Sequence, residues 1–352
     1  MSLGKISRLF HSPGNLFRRL DLSLEKVRVG IIGTGGIAQG HIRRLMSNPG
    51  AEVVALCDIR PEALANTVER FTELKSLPQF SDYKQMIAAG NLDAVEICTP
   101  HTTHYEQIMH SLDEGMHVLS EKPLVCTIAH AHEVLKKIDD SGKTFVLNYQ
   151  RHYQPEFLYI KQELESGKFG KVQFINGLQG QEWLRACAGS WRHDPALSGG
   201  GQLNDSGSHM LAVLLFATGL QVDQVHAFMD NFHVPVDINS ALNVKFIGGA
   251  QGNVSVVGNG PSFYEDITIF CEKGAFYIRN GKLEVSDSMG KRHFPTAEQM
   301  PKGSDPDANF IASVLGKEEV GCPAFYGLRV IEWTESAWKS AASGKVEKVA
   351  RD

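Results

Sequence analysis

Residues 27–38, running from Val27 to Ala38, read as an apolar strand, a tight glycine turn and the opening of a helix. Gly33, Gly35 and Ala38 stand in GxGxxA spacing. Glycines there let the backbone approach a diphosphate, exposed amides at the following helix N-terminus favour its charge, and the small Ala38 lets helix and strand pack closely. The turn Gly33, Thr34, Gly35, Gly36 and Ile37 is therefore the candidate dinucleotide cradle.

The pattern then repeats. Short apolar runs at 52–57, 94–98, 117–119 and 144–147 alternate with helical periodicity at 37–46, 61–71, 105–113 and 128–139. Such βα spacing predicts an α/β fold whose first part, residues 27–150, is a doubly wound parallel sheet of Rossmann type. Asp58 closes the second run, 25 positions after Gly33, where an acidic side chain accepts hydrogen bonds from the adenosine ribose. It also reads as an N-cap ahead of Pro61. A carboxylate there repels a 2′-phosphate and favours NAD. Ile59 and Arg60 follow it, and Arg60 keeps NADP open because a guanidinium pairs with that phosphate.

After residue 150 the texture changes. One helix at 155–165 precedes strand-like runs at 171–179, 222–229, 241–247, 252–257, 267–271 and 275–279, joined by Gly, Asn and Asp turns. Helical stretches at 308–315 and 328–340 follow, so residues 151–352 read as an α+β domain. Residues 1–26 carry Lys5, Arg8, Arg18 and Arg19 with Pro13-Gly14 among them, and read as an added arm, a surface strap or subunit contact.

A net charge of -5 supplies no basic field for nucleic acid. No apolar run approaches the roughly 18 residues of a membrane span, and no secretion signal opens the chain, so a cytoplasmic location is expected. The six cysteines lie far apart, without the close pairs of zinc or redox sites.

Asp205 and His209 are four apart and share one face if their segment is helical. Oxidising a secondary alcohol needs a base for the hydroxyl proton, and histidine is closest to neutral for that task. Asp205 would orient His209. A metal reading of the pair lacks a third ligand, so no metal is expected.

The run Thr99-Pro100-His101-Thr-Thr-His104, the motif Glu121-Lys122-Pro123, and Trp191-Arg192 followed by Gly199 to His209 resemble the glucose-fructose oxidoreductase, inositol dehydrogenase and MocA family. The resemblance extends from about Val27 to the C-terminus. It implies a hydride transfer between NAD and a hydroxyl-bearing carbon of a sugar, inositol or related polyol. It also implies a cis bond before Pro123, an open, mainly antiparallel second sheet and a homodimer or homotetramer. Lys122 would reach nicotinamide and substrate, and the resemblance leaves open whether Lys122 or His209 carries the proton. Thr99, Pro100, His101, His104, Glu121, Asn148, Trp191, Arg192 and Tyr326 would line the cofactor site. Arg151 and Tyr153 are divided between substrate contact and interdomain structure, and the role of Trp183 stays undecided. The same resemblance includes NAD-dependent glycosidases and dinucleotide-sensing regulators, against which the intact Glu121-Lys122-Pro123, Asp205 and His209 argue.

Overall fold

The computed structural model describes residues 25–349, so the arm read at residues 1–26 lies almost wholly outside the described residues. The first sheet holds β1 (Val27–Ile32), β2 (Ala51–Cys57), β3 (Gln79–Phe80), β4 (Ala94–Ile97), β5 (His117–Ser120) and β6 (Phe145–Leu147). Its order is β3-β2-β1-β4-β5-β6, and every pairing is parallel. The order reverses beside β1, which opens a crevice at the carboxyl ends of β1 and β4. Helices α1 (Ala38–Ser47), α2 (Pro61–Arg70), α3 (Tyr83–Ala88), α4 (His104–Asp113) and α5 (Ile128–Ser141) connect the strands. β1, β4 and β6 are buried almost throughout, as a sheet covered on both faces requires.

Helix α6 (Pro155–Glu165) leads into β7 (Val172–Glu182), followed by the short α7 (Pro195–Ser198) and by α8 (Gly207–Thr218). The chain continues through β8 (Val222–Asp230), β9 (Asn239–Phe246), β10 (Gln251–Val257), β11 (Asn259–Cys271), β12 (Gly274–Arg279), β13 (Lys282–Asp287) and β14 (Arg292–His293). After α9 (Pro306–Val314) and α10 (Phe325–Ser343), β15 (Glu347–Lys348) completes a nine-stranded sheet. All its pairings are antiparallel except β7 with β10. β9 alternates strictly, with Leu242, Val244 and Phe246 buried and Ala241, Asn243 and Lys245 exposed, so one face is covered and the other open.

Two packing features position the site. α8 is apolar on every side, from Met210 to Ala217, and is enclosed between helices and the second sheet. Burial of Leu211, Leu214 and Leu215 stabilises it by roughly 1.5–3 kcal/mol per side chain, which fixes the helix that carries His209. α9 packs back onto the first sheet, where Phe310, Ile311 and Val314 join the core of Val29, Ile31 and Ile42. Late sequence thus reaches the dinucleotide half.

Candidate active site

The glycine turn is held from below. Gly33 has φ +87°, and a Cβ there would stand 2.8 Å from the Cys98 carbonyl oxygen, so this position requires glycine. A Cβ at Gly36 would meet nothing within 4 Å, leaving the turn open above. Asp58 Oδ2 accepts from the Thr34 amide at 2.9 Å, and its Oδ1 accepts from the Arg60 amide at 2.9 Å. Helix α1 starts with no side-chain cap and no acidic residue in its first turn, so its N-terminus suits a phosphate. A cleft of about 390 Å³ adjoins it, lined by Thr34, Gly35, Gly36, Arg60, Asn66 and Arg70 among others. These features fit the diphosphate and adenosine of a dinucleotide. The N-cap position before α2 belongs to Arg60 and not to Asp58, because the helix begins at Pro61 and the Asp58 carboxylate is turned into the glycine turn.

Lys122 follows the last residues of β5, and the Lys122–Pro123 peptide is cis. Its Nζ lies 2.6 Å from Asp205 Oδ1 and donates as well to the Asp205 carbonyl at 3.2 Å. Asp205 Oδ2 accepts from Trp183 Nε1 and from Arg192 Nε, each at 2.8 Å. His101 Nε2 stands 3.6 Å from Asp205 Oδ1, and its Nδ1 is 2.9 Å from the Ser198 carbonyl, the arrangement of an Nδ1–H donor. Burial opposes ionisation of Asp205, but Lys122, His101 and Arg192 outweigh it and hold the carboxyl well below its usual range. Asp205 is therefore an anion that anchors a lysine, an arginine and an indole from three separate segments.

His209 is partly buried, and its Nδ1 has no hydrogen-bond partner. Its ring meets Tyr149 edge-on at 5.9 Å. Burial, with Lys122 nearby, pushes its pKa down to about 3, so the imidazole is neutral at ordinary pH. The structure corrects the expectation that Asp205 orients His209. Asp205 lies before α8, which begins at Gly207, so the four-residue spacing does not place the two on one helical face. The carboxylate turns to Lys122, Trp183 and Arg192 instead.

Other expected residues divide into those near the crevice and those sealed beneath it. Trp191 packs edge-on against His101 at 4.8 Å, with Arg192 over its ring at 4.5 Å. Thr99 and Pro100 lie at the carboxyl end of β4, and the Thr99 hydroxyl donates to Gln107 Oε1 at 2.6 Å. Ile59 is exposed at the rim. His104 is fully enclosed, with Nδ1 2.8 Å from the Pro123 carbonyl and Nε2 3.0 Å from that of Thr99. It braces two loops and offers no polar atom to a cofactor, contrary to the sequence expectation. Burial pushes its pKa to about 4. Glu121 and Asn148 are likewise buried, their side chains bonded to each other at 2.6 Å. They support Lys122 from below, which corrects their assignment as cofactor contacts.

Tyr153 is buried with its hydroxyl donating to Asn309 Oδ1 at 3.2 Å, so it belongs to structure and not to substrate contact. Arg151 forms an ion pair with the buried Glu265 and stacks over Phe157 at 4.8 Å. Tyr326 packs edge-on against His152 and Phe216. Sequence reasoning left Trp183 undecided and passed over His41, Glu96 and Asp307. Nothing local marks these residues, because their partners are distant in the chain.

Fold and site together define an NAD-binding oxidoreductase. Residues 27–149 match the family model described as an oxidoreductase family with an NAD-binding Rossmann fold, and residues 157–277 match the GFO/IDH/MocA C-terminal domain. The chain belongs to the Gfo/Idh/MocA family. It is 23% identical to the uncharacterized oxidoreductase YrbE of Bacillus subtilis, over 91% of this chain and 96% of that protein. It is 32% identical to inositol 2-dehydrogenase of Acidothermus cellulolyticus, over 41% of this chain and 42% of that enzyme, so it spans less than half of that relative. A solved levoglucosan dehydrogenase in complex with NADH and levoglucosan has a TM-score of 0.84 at 20% identity, covering 93% of this chain and 100% of that one. At that identity the likeness carries the fold.

Proposed function

We propose that the chain moves a hydride between NAD and a hydroxyl-bearing carbon of a sugar, inositol or related polyol. The observation that carries this reading is the Lys122–Asp205 pair, 2.6 Å apart at the carboxyl edge of a parallel sheet that also presents the glycine cradle. The dehydrogenases among its relatives support the substrate class. Bound nicotinamide supplies the hydride acceptor. Lys122, held in place by Asp205, donates a hydrogen bond to the reacting oxygen and steadies negative charge developing there. His209 is the proposed base for the hydroxyl proton: its imidazole is neutral and keeps a nitrogen lone pair, although burial and Lys122 lower its proton affinity. Trp183 and Arg192 fix the carboxylate, so Lys122 has one favoured position.

The proposed division is a dinucleotide-binding unit at 27–150 and a substrate-binding and oligomerisation unit at 151–352. Phe228, Phe263 and Phe270 are exposed on strands β8 and β11 of the open sheet, which supports a homodimer or homotetramer built on that sheet. All six cysteines are free thiols, which fits a reducing, cytoplasmic setting. Among the described residues no helix is long and apolar enough to cross a membrane.

The test is to mix the chain with NAD and a panel of polyols, inositols and aldonates, and to follow the reduced-nicotinamide absorbance. Growth of that band with at least one member is expected. A flat trace with every member, or cleavage of a glycoside without net reduction, would contradict the reading.

A further inference from the structure

Beneath Lys122 lies a second set of charges that the chemistry above does not use. His41, on α1, is fully buried with a carboxylate at each ring nitrogen. Asp307 Oδ1, on α9, is 2.8 Å from Nδ1, and Glu121 Oε1 is 3.1 Å from Nε2. Glu121 Oε2 in turn accepts from the Lys122 amide at 3.0 Å, while Asn148 Nδ2 donates to Oε1 at 2.6 Å. Arg44 Nε donates to Asp307 Oδ2 at 2.6 Å. Glu96, on β4, places Oε2 3.5 Å from His41 Nδ1, and neither of its oxygens has a hydrogen-bond partner.

We propose that His41 is a positioning residue: clamped between Asp307 and Glu121, it fixes the side chain that holds the Lys122 amide, and so sets where the Lys122 ammonium stands. This rests on the reading of Lys122 as the cation at the reacting centre. Asn148 Nδ2 also faces His41 Nε2, at 3.2 Å, but its shorter bond goes to Glu121 Oε1. A neutral imidazole has one N–H, so with a carboxylate against each ring nitrogen protons on both are needed to satisfy the two. The charges then balance, His41 and Arg44 against Asp307 and Glu121, with Glu96 uncharged. The direction of each group agrees. Burial disfavours charge on His41, yet bonds to Asp307 and Glu121 outweigh it and raise its pKa well above the ordinary value. Burial and Asp307 push the Glu96 carboxyl well above its usual range. Burial also opposes ionisation of Glu121, but His41 brings its pKa down to about 2.

His41, Glu96 and Asp307 offer donor atoms within 4.8 Å of one another, a spacing that a metal ion also accepts. The imidazolium is the better occupant, since Arg44 already holds Asp307 and Glu121 already takes the other ring nitrogen. The clamp links the helix behind the glycine turn, the Glu121-Lys122 peptide and the late helix α9. It gives that return of the chain a mechanical purpose.

His41→Gln and Asp307→Asn are the test, read beside Lys122→Ala. Both clamp variants should lose about 10²-fold in kcat with NAD affinity nearly unchanged, as small misplacements of a reacting group do. Asp307→Asn keeps the shape and removes one charge, so its kcat should fall with rising pH at a lower pH than in the parent. If His41→Gln does not fold, Asp307→Asn decides. A merely structural role would instead lower stability, leaving kcat and its pH profile as in the parent. In the unaltered protein labelled with [15N]histidine, both His41 nitrogens should carry protons at pH 8. A neutral His41, stoichiometric bound metal, or kcat retained in both clamp variants while Lys122→Ala is inactive would overturn the positioning role alone. Turnover retained in Lys122→Ala would overturn it together with the reading on which it rests.

Discussion

Two clusters of charge sit near the carboxyl ends of the first sheet, one around Asp205 and one around His41. Each has a central group held by opposite charges from several chain segments. They differ in access. At Asp205 the Arg192 side chain is 36% exposed and that of Lys122 12%, whereas His41 and Glu96 are at 0% and Asp307 at 1%, with Arg44, at 39%, as that cluster's outer member. A charged group with one open side can trade a partner for substrate. One sealed on all sides can only hold a position, and removing its partner leaves an uncompensated buried charge. On the proposed reading, the same residue chemistry serves reaction in one place and alignment in the other.

The largest effect should come from the open cluster. Asp205→Asn keeps the shape but withdraws the anion that holds Lys122 and Arg192, and kcat is expected to fall about 10³-fold. A loss under tenfold in steady-state assays would make the Asp205 cluster as passive as a surface ion pair. Next, His209→Ala should lower kcat by about 10²-fold, since it removes the nitrogen proposed to take the hydroxyl proton. Equal turnover in the two proteins would transfer the proton to Lys122. The glycine turn gives a smaller, more selective effect. A Cβ at Gly35, the second glycine of the GxGxxA spacing, would meet only the Arg60 guanidinium at 3.8 Å, so in Gly35→Ala stability should hold while the KM for NAD rises about tenfold, because the diphosphate needs that close approach. An unchanged KM would move the diphosphate elsewhere.

The mildest effect is on stability against pH. Burial depresses the pKa of His101, His104 and His209 below the ordinary 6.5, so below that pH the unfolded chain takes up protons that the folded chain refuses. Stability should therefore decline as pH falls from 6.5 toward their folded values. Asp205 and Glu121, also depressed, contribute stability above the ordinary carboxylate range and lose it as pH falls through their folded values. His41 acts oppositely: its raised value gives stability that is complete below 6.5 and is lost only as pH rises through the folded value. Melting temperatures should drop between pH 6.5 and 4.5, and His209→Asn should reduce the slope. A melting temperature that climbs on acidification would contradict the buried, neutral assignments.

What was legible in the sequence follows from the range of each interaction. Strand β1, its glycine turn and α1 were readable because adjacent residues decide them, and the end of β1 falls where the apolar run stops. Lys122 was readable through its motif. α8 was not, because a helix buried on every side has no polar stripe from which to read a period. For the same reason the spacing of Asp205 and His209 misled: the helix starts between them. Trp183 reaches Asp205 across 22 residues, and His41 reaches Asp307 across 266, distances over which a single sequence carries no pairing signal. His104, Glu121 and Asn148 read as cofactor contacts in the sequence but are buried in the structure, since burial depth is a property of packing.

The most direct measurement is a single turnover of NAD reduction by a responsive polyol, comparing the parent protein with Lys122→Ala under saturating coenzyme. The rate should fall by about 10³-fold or more while NADH still binds with its normal fluorescence response. An unaltered burst in Lys122→Ala would contradict the assignment of the reacting centre to the lysine that Asp205 holds.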